Sequence, residues 1–82
     1  MVIVTQKIRP DMDIGRNIQR LRQRAGMTQD QVVAHLQLMG VEISKSTYAK
    51  LETNRMNIKV SELVAMKIIF EANIEEFFEG LL

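Results

Sequence analysis

A stripe of apolar residues near the start of the chain constrains the fold more than any other feature. Its four members recur at intervals of three or four residues: Ile14, Ile18, Leu21 and Ala25. This spacing predicts an α-helix with one apolar face. Asp11 and Asp13 suit the beginning of that helix, and Gly26 suits its end. The chain must therefore supply other elements on which the apolar face can pack.

A second helix is predicted directly after Gly26. Thr28 followed three residues later by Gln31 forms a capping-box pattern, in which each residue satisfies a free backbone group at the helix start. The apolar face of this helix is predicted to comprise Val32, Val33, Leu36 and Met39. Gly40 is expected to end or bend the helix.

A third helix, predicted over residues 45–52 with Ser44 as its cap, is short and weakly amphipathic. Tyr48 and Leu51 are its large apolar residues and are expected to face inward. The residues expected to face outward are small, polar or basic: Lys45, Ser46, Ala49 and Lys50. Asn54 can close the helix in a left-handed conformation. So short a helix needs its neighbours to hold it in place.

The remainder of the chain predicts two more helices. One begins near Ser61, ends before Asn73 and buries Leu63, Val64, Ile68 and Phe70. A last short helix covers residues 74–82. At the other end, residues 2–8 are rich in β-branched side chains and predict a strand or an ordered arm. The predicted fold is all-α, with an arm at residues 1–12 and a five-helix domain at residues 13–82.

Length and composition exclude several classes of protein. The 82 residues allow one domain, and the absence of cysteine excludes disulfides and thiolate metal sites. No apolar run is long enough to span a membrane, so we expect a cytoplasmic protein. His35 has no partner at a metal-ligand spacing, and no catalytic motif or phosphate loop is present. We therefore expect no enzyme activity, no cofactor, no metal and no small-molecule ligand.

The net charge of +1 conceals an uneven distribution. Residues 1–59 carry ten Lys or Arg and five acidic residues, whereas residues 60–82 carry one Lys and five Glu. This pattern is compatible with a surface that binds a polyanion, although charge alone favours simply solvated helix faces. Arg16, Arg20 and Arg24 lie on one line of the first helix and could flank phosphates or only contact solvent.

Four segments carry a resemblance to a known family. They read IGRNIQRLR (14–22), MTQ (27–29), SKSTYAKLE (44–52) and IEEFF (74–78). In this order they resemble the helix-turn-helix family of phage repressors, Cro proteins and small XRE-like bacterial regulators. The chain departs from that pattern in the spacing between Gln29 and Glu52, which is longer than usual. We place the extra residues between Gln37 and Ile43, in the second helix and the connection after it.

The resemblance implies a repressor-like DNA-binding domain that inserts residues 44–52 into the major groove. Base contacts are expected from Lys45, Ser46, Ala49 and Lys50, whose side chains can reach base edges or a thymine methyl group. Contacts to the DNA backbone are expected from Gln29, Thr47, Asn54 and Arg55. Gln29 could instead act only at the start of its helix, and the lysines could be plain solvated residues. Arg22 and Glu52 match positions that pair across helices in the family.

The resemblance also implies a dimeric repressor that binds a palindromic operator in double-stranded DNA. The predicted dimer interface consists of Ile74, Phe77, Phe78, Leu81 and Leu82, with the arm at residues 2–8 as a possible addition. These residues could equally complete the core of one protomer. A second function class stays open: a protein-interaction module of antitoxin or scaffold type that uses the apolar carboxy-terminal helix.

Overall fold

The computed structural model describes residues 7–8 and 13–81, and these residues form a mostly helical domain. Its α-helices are α1 (Ile14–Arg24), α2 (Gln29–Leu38), α3 (Lys45–Glu52) and α4 (Val60–Phe70). The fifth predicted helix is a 3₁₀ helix over Ile74–Phe78. The described residues therefore hold four α-helices and one 3₁₀ helix, and the last short helix predicted over residues 74–82 is corrected in type and length.

The predicted helix starts are confirmed at three places. The Asp13 carboxylate accepts from the Arg16 amide, and the Ser44 hydroxyl accepts from the Thr47 amide. Thr28 and Gln31 form the complete capping box, with hydrogen bonds of 3.1 and 2.9 Å. These caps satisfy backbone donors that the helices themselves leave without acceptors. They fix where α1, α2 and α3 begin.

The core lies between the four helices, and several predicted members are missing from it. Ile18, Leu36, Tyr48, Met66 and Phe77 are among its fully buried side chains. Ala25, by contrast, is exposed as the C-cap of α1, so the first apolar stripe ends at Leu21.

On α4 the predicted apolar face is partly wrong. Leu63 and Phe70 are buried as expected, whereas Val64 and Ile68 are 47% and 58% exposed. Ala65 and Met66 occupy the core in their place. The helix is apolar on nearly every side, so its sequence pattern alone does not distinguish the inner face. Met39 is likewise 43% exposed, because it lies beyond the last residue of α2.

A short antiparallel pair of strands connects the arm to the domain. β1 (Lys7–Ile8) pairs with β2 (Ile58–Lys59), with Lys7 opposite Lys59 and Ile8 opposite Ile58. The rest of the predicted arm, at residues 1–6 and 9–12, lies outside the described residues. Within the part of the chain that is described, no helix combines the length and apolar character required to cross a membrane.

Candidate nucleic-acid interface

Helix α3 presents two chemically different faces. Tyr48, Leu51 and Glu52 are buried against the rest of the domain. The opposite face carries Lys45, Ser46 and Lys50, which are exposed, and Ala49, which is half-buried. The side chains on this outer face are short or flexible, so a large flat surface can approach the helix closely.

The connection between α2 and α3 determines how α3 is presented. It spans residues 39–44, and Gly40 adopts a φ of 82° that a residue with a side chain rarely adopts. The Val41 amide then donates to the Leu36 carbonyl over 2.9 Å and closes the end of α2. Ile43 is buried, and its carbonyl accepts a 3.1 Å hydrogen bond from Nε2 of the Gln37 side chain. The long connection is thus held at both ends.

A cluster of buried polar side chains links α1, α2 and α3 on the inner side of α3. Nε and Nη2 of Arg22 donate to the two carboxylate oxygens of Glu52 over 2.6 and 3.2 Å. The Gln29 side chain donates to Oε1 of Glu52 over 2.9 Å. The side chains of Arg22 and Glu52 are only 12% and 3% exposed. This brings together the two residues that the resemblance pairs, and it also shows a partner, Gln29, that the sequence did not indicate.

The electrostatics of the cluster favour an ionised Glu52. Burial opposes its ionisation, but its contacts with Arg22, the Tyr48 hydroxyl and Gln29 outweigh this effect and lower its pKa. Burial together with the Glu52 carboxylate raises the pKa of Tyr48 far above its usual range. Tyr48 is therefore a neutral core residue, and the ion pair next to it is permanent near neutral pH.

Gly15 allows α1 and α3 to approach each other closely. A Cβ atom at this position would lie 2.5 Å from the Leu51 carbonyl oxygen and 2.6 Å from that of Glu52. Such contacts are far shorter than van der Waals distance, so only glycine fits without a shift of the backbone. Sequence reasoning did not single out this role, because a glycine inside a helix has no distinguishing signal when α3 is not yet positioned.

The comparison with known families agrees with this geometry. A model described as "Helix-turn-helix domain" matches residues 13–68, which include all four α-helices except the last two residues of α4. The chain belongs to the helix-turn-helix domain family. No curated protein and no solved structure matches the chain.

In this helix-turn-helix domain, α2 and α3 are the two helices of the motif. The predicted base-contacting residues all lie on the outer face of α3, and one of them already has a partner. Nζ of Lys45 lies 3.1 Å from Oδ1 of Asp30 on α2, with both side chains more than half exposed. An exposed pair of this kind is weak and can be exchanged for another anion.

The predicted backbone-contacting residues surround the ends of α3. Thr47 lies in its first turn, and its hydroxyl accepts from the Ser44 hydroxyl over 3.0 Å. Asn54 follows the helix with a φ of 62°, which confirms the predicted left-handed closure. The Arg55 guanidinium donates to the Thr53 hydroxyl over 2.9 Å. Thr47 and Arg55 line one groove, whose other charged lining residues are Lys59, Glu42 and Glu62.

Two arginines of α1, Arg20 and Arg24, pair with acidic residues near the end of the chain. Arg24 forms a two-point ion pair with Glu76, and Nη2 of Arg20 lies 3.4 Å from the Glu79 carboxylate. Arg16 pairs with Asp13 over 3.5 Å. The exposed pairs of Arg16 and Arg20 are as weak as that of Lys45 and Asp30, so they leave both roles of this arginine row open. Among the residues with a described exposure, Lys45 and Lys50 are exposed cations on α3, and Arg55 and Lys59 are exposed cations that follow it in the chain.

The residues predicted to form a dimer interface contribute mostly to the core of the protomer. Phe77 is fully buried, and Ile74, Phe78 and Leu81 are partly buried against the same core. Nδ2 of the buried Asn17 donates to the carbonyls of Phe77 and Glu79 over 2.9 and 3.0 Å, which fastens this segment to α1. Leu82 lies outside the described residues. Phe77 is thus unavailable to a second molecule unless this end of the domain rearranges.

Proposed function

We propose that this protein binds double-stranded DNA in a sequence-specific manner and acts as a small transcriptional regulator. The observation that carries the proposal is the outer face of α3, which is basic and small while its inner face is fixed by the Arg22–Glu52–Gln29 cluster. The major groove of B-DNA is ~12 Å wide and admits one helix. A helix whose inner face is fixed to the domain and whose outer face carries small and basic side chains suits that groove.

The proposed contacts divide according to the chemistry of the side chains. Lys45, Ser46 and Lys50 donate to base edges, and the Ala49 methyl group contacts a thymine methyl group. Thr47, Asn54, Arg55 and Gln29 contact the sugar-phosphate backbone around the ends of the motif helices. For Gln29 this contact involves the backbone amide at the start of α2, since its side chain is bonded to Glu52.

We further propose that the protein is a cytoplasmic homodimer that represses transcription from a palindromic operator. Two copies related by a two-fold axis would place their α3 helices one DNA turn apart, at ~34 Å. The proposed dimer interface retains the partly exposed residues Ile74, Phe78 and Leu81 and the adjoining Leu82. Phe77 is no longer part of it, because that side chain has no exposed surface.

Titration of a fluorescent mixed-sequence duplex at several salt concentrations tests DNA binding. The logarithm of the association constant should fall linearly with the logarithm of the salt concentration, by ~0.9 for each phosphate that the protein neutralises. Lys50→Ala should reduce both affinity and slope. Lys67→Ala on α4, which removes the same charge far along the chain from α3, is the matched control and should change neither. Binding that is absent, or equal for the two variants, would contradict the proposal.

A second candidate function is a protein-interaction module. It is favoured by one observation, the exposed apolar side chains of Leu38, Val64 and Ile68 on α2 and α4. A module of this kind would bind a protein partner with little dependence on salt and would not bind any duplex. The same titration therefore separates the two functions.

A further inference from the structure

An apolar groove lies between the end of α2 and α4. We call it the α2–α4 groove, and its lining is Met39, Val41, Val60, Ser61, Val64, Ala65 and Ile68. On α4 the exposed members Val60, Val64 and Ile68 follow one another at four-residue intervals and form a line along the helix. Ser61 is the one polar side chain in this lining and none of the lining residues is charged, so the surface of the groove is mostly apolar.

The register of the strand pair relates the direction of the chain before β1 to the direction of the chain that leads into α4. β1 and β2 are antiparallel, with Lys7 opposite Lys59. The direction from Lys7 toward the amino terminus within β1 is therefore the direction from Lys59 toward the carboxy terminus within β2. The residue after Lys59 is Val60, the first residue of α4 and the first residue of the apolar line.

The length and composition of the preceding segment match the groove. Residues 1–6 read MVIVTQ, with four apolar residues followed by two uncharged polar ones. In an extended conformation, at ~3.3 Å per residue, Ile3 would lie ~13 Å before Lys7. At ~1.5 Å per helical residue, Ile68 lies ~13 Å beyond Lys59 along α4. The apolar part of the segment is therefore long enough, if extended, to reach along the line formed by Val60, Val64 and Ile68.

We propose that residues 1–4 lie in the α2–α4 groove of their own molecule and cover Val60, Val64 and Ile68. The segment then stabilises the domain by removing apolar surface from water. It also keeps this face of α4 from binding other proteins. This inference is independent of the proposed DNA contacts, which involve α3.

Disulfide trapping tests the proposal directly, because the chain has no cysteine of its own. The double variant Ile3→Cys, Ile68→Cys should form a disulfide under mild oxidation and remain a single chain on a non-reducing gel. The matched control pairs Ile3→Cys with Gln19→Cys on the exposed face of α1 and should form little disulfide. Failure to cross-link, equal cross-linking in the control, or a disulfide between two chains would overturn the proposal. The last result would assign the groove to a second copy.

A labelling experiment gives a second readout that does not depend on disulfide geometry. The single variant Ile68→Cys places a thiol at a position that is 58% exposed, so the domain should tolerate it. Adding Val2→Asp and Val4→Asp should raise the rate of maleimide labelling several-fold, because the charged segment leaves the groove. Adding Gln6→Asp instead should change the rate little. Equal labelling rates in all three proteins would contradict the proposal.

Discussion

The side-chain amide of Gln29 donates a 2.9 Å hydrogen bond to Oε1 of Glu52, and this bond joins the start of α2 to the end of α3. Arg22 on α1 holds the same carboxylate through two further hydrogen bonds. One buried acidic residue thus fixes three helices relative to one another. Together with the buried Tyr48 and Leu51, this group helps to set the direction in which α3 presents its outer face.

Removal of the Glu52 carboxylate should destabilise the fold strongly. Glu52→Ala leaves the Arg22 guanidinium largely buried without its partner, which costs about 3–5 kcal/mol in comparable cases. Urea unfolding followed by circular dichroism measures this change. Glu79→Ala, which breaks the exposed pair with Arg20, is the control and should cost no more than ~1 kcal/mol. Similar losses in the two variants would contradict the role assigned to Glu52.

Acid should weaken the domain through two carboxylates. The hydrogen bonds from Arg24 and the Asn73 amide lower the pKa of Glu76 from 4.5 to about 2, and the pKa of Glu52 is also lowered. A carboxylate with a lowered folded-state pKa stabilises the fold above its unfolded pKa. It loses this contribution as the pH falls through its folded value. The free energy of unfolding should therefore decrease between about pH 4.5 and 2.

The variant Glu76→Gln isolates the surface part of this effect. The variant cannot ionise at position 76, so its stability should depend less steeply on pH over the same interval. Urea titrations of both proteins at several pH values provide the comparison. Parallel curves for the variant and the unmodified protein would show that the Arg24–Glu76 pair makes no contribution to the acid sensitivity.

Gly15→Ala should destabilise the domain, although alanine is the better helix former. At an exposed helical site this change gains about 1 kcal/mol. Here the added methyl group would lie within 2.6 Å of two carbonyl oxygens of α3, so the helices must separate. A thermal melt should show a clear decrease in Tm for Gly15→Ala and little change for Gln19→Ala, an exposed control on the same helix. An unchanged or higher Tm for Gly15→Ala would contradict the close approach.

Local signals were enough to predict the helices that carry the motif. The caps at Thr28 and Ser44, the closure at Asn54 and the inward positions of Tyr48 and Leu51 depend on residues within a few positions of each other. Such short-range relationships can be predicted from the sequence. For the same reason the residues on the outer face of α3 were predictable without knowledge of the fold.

Relationships between distant segments were not predictable in the same way. The predicted buried face of α4 was wrong at Val64 and Ile68. Apolar residues surround this helix, so only the packing of its neighbours decides which side is buried. The hydrogen bond from Gln29 to Glu52 and the pairing of Arg24 with Glu76 join residues 23 and 52 positions apart. Only the packed domain brings these groups together.

Selection of sequences from a random duplex library by the purified protein tests the central claim most directly. The proposal predicts enrichment of a palindromic consensus whose half-sites are one helical turn apart. It also predicts that Lys50→Ala changes the preferred bases within each half-site, while Lys67→Ala selects the original consensus. A pool without any enriched sequence, or an identical consensus for all three proteins, would contradict base recognition by α3.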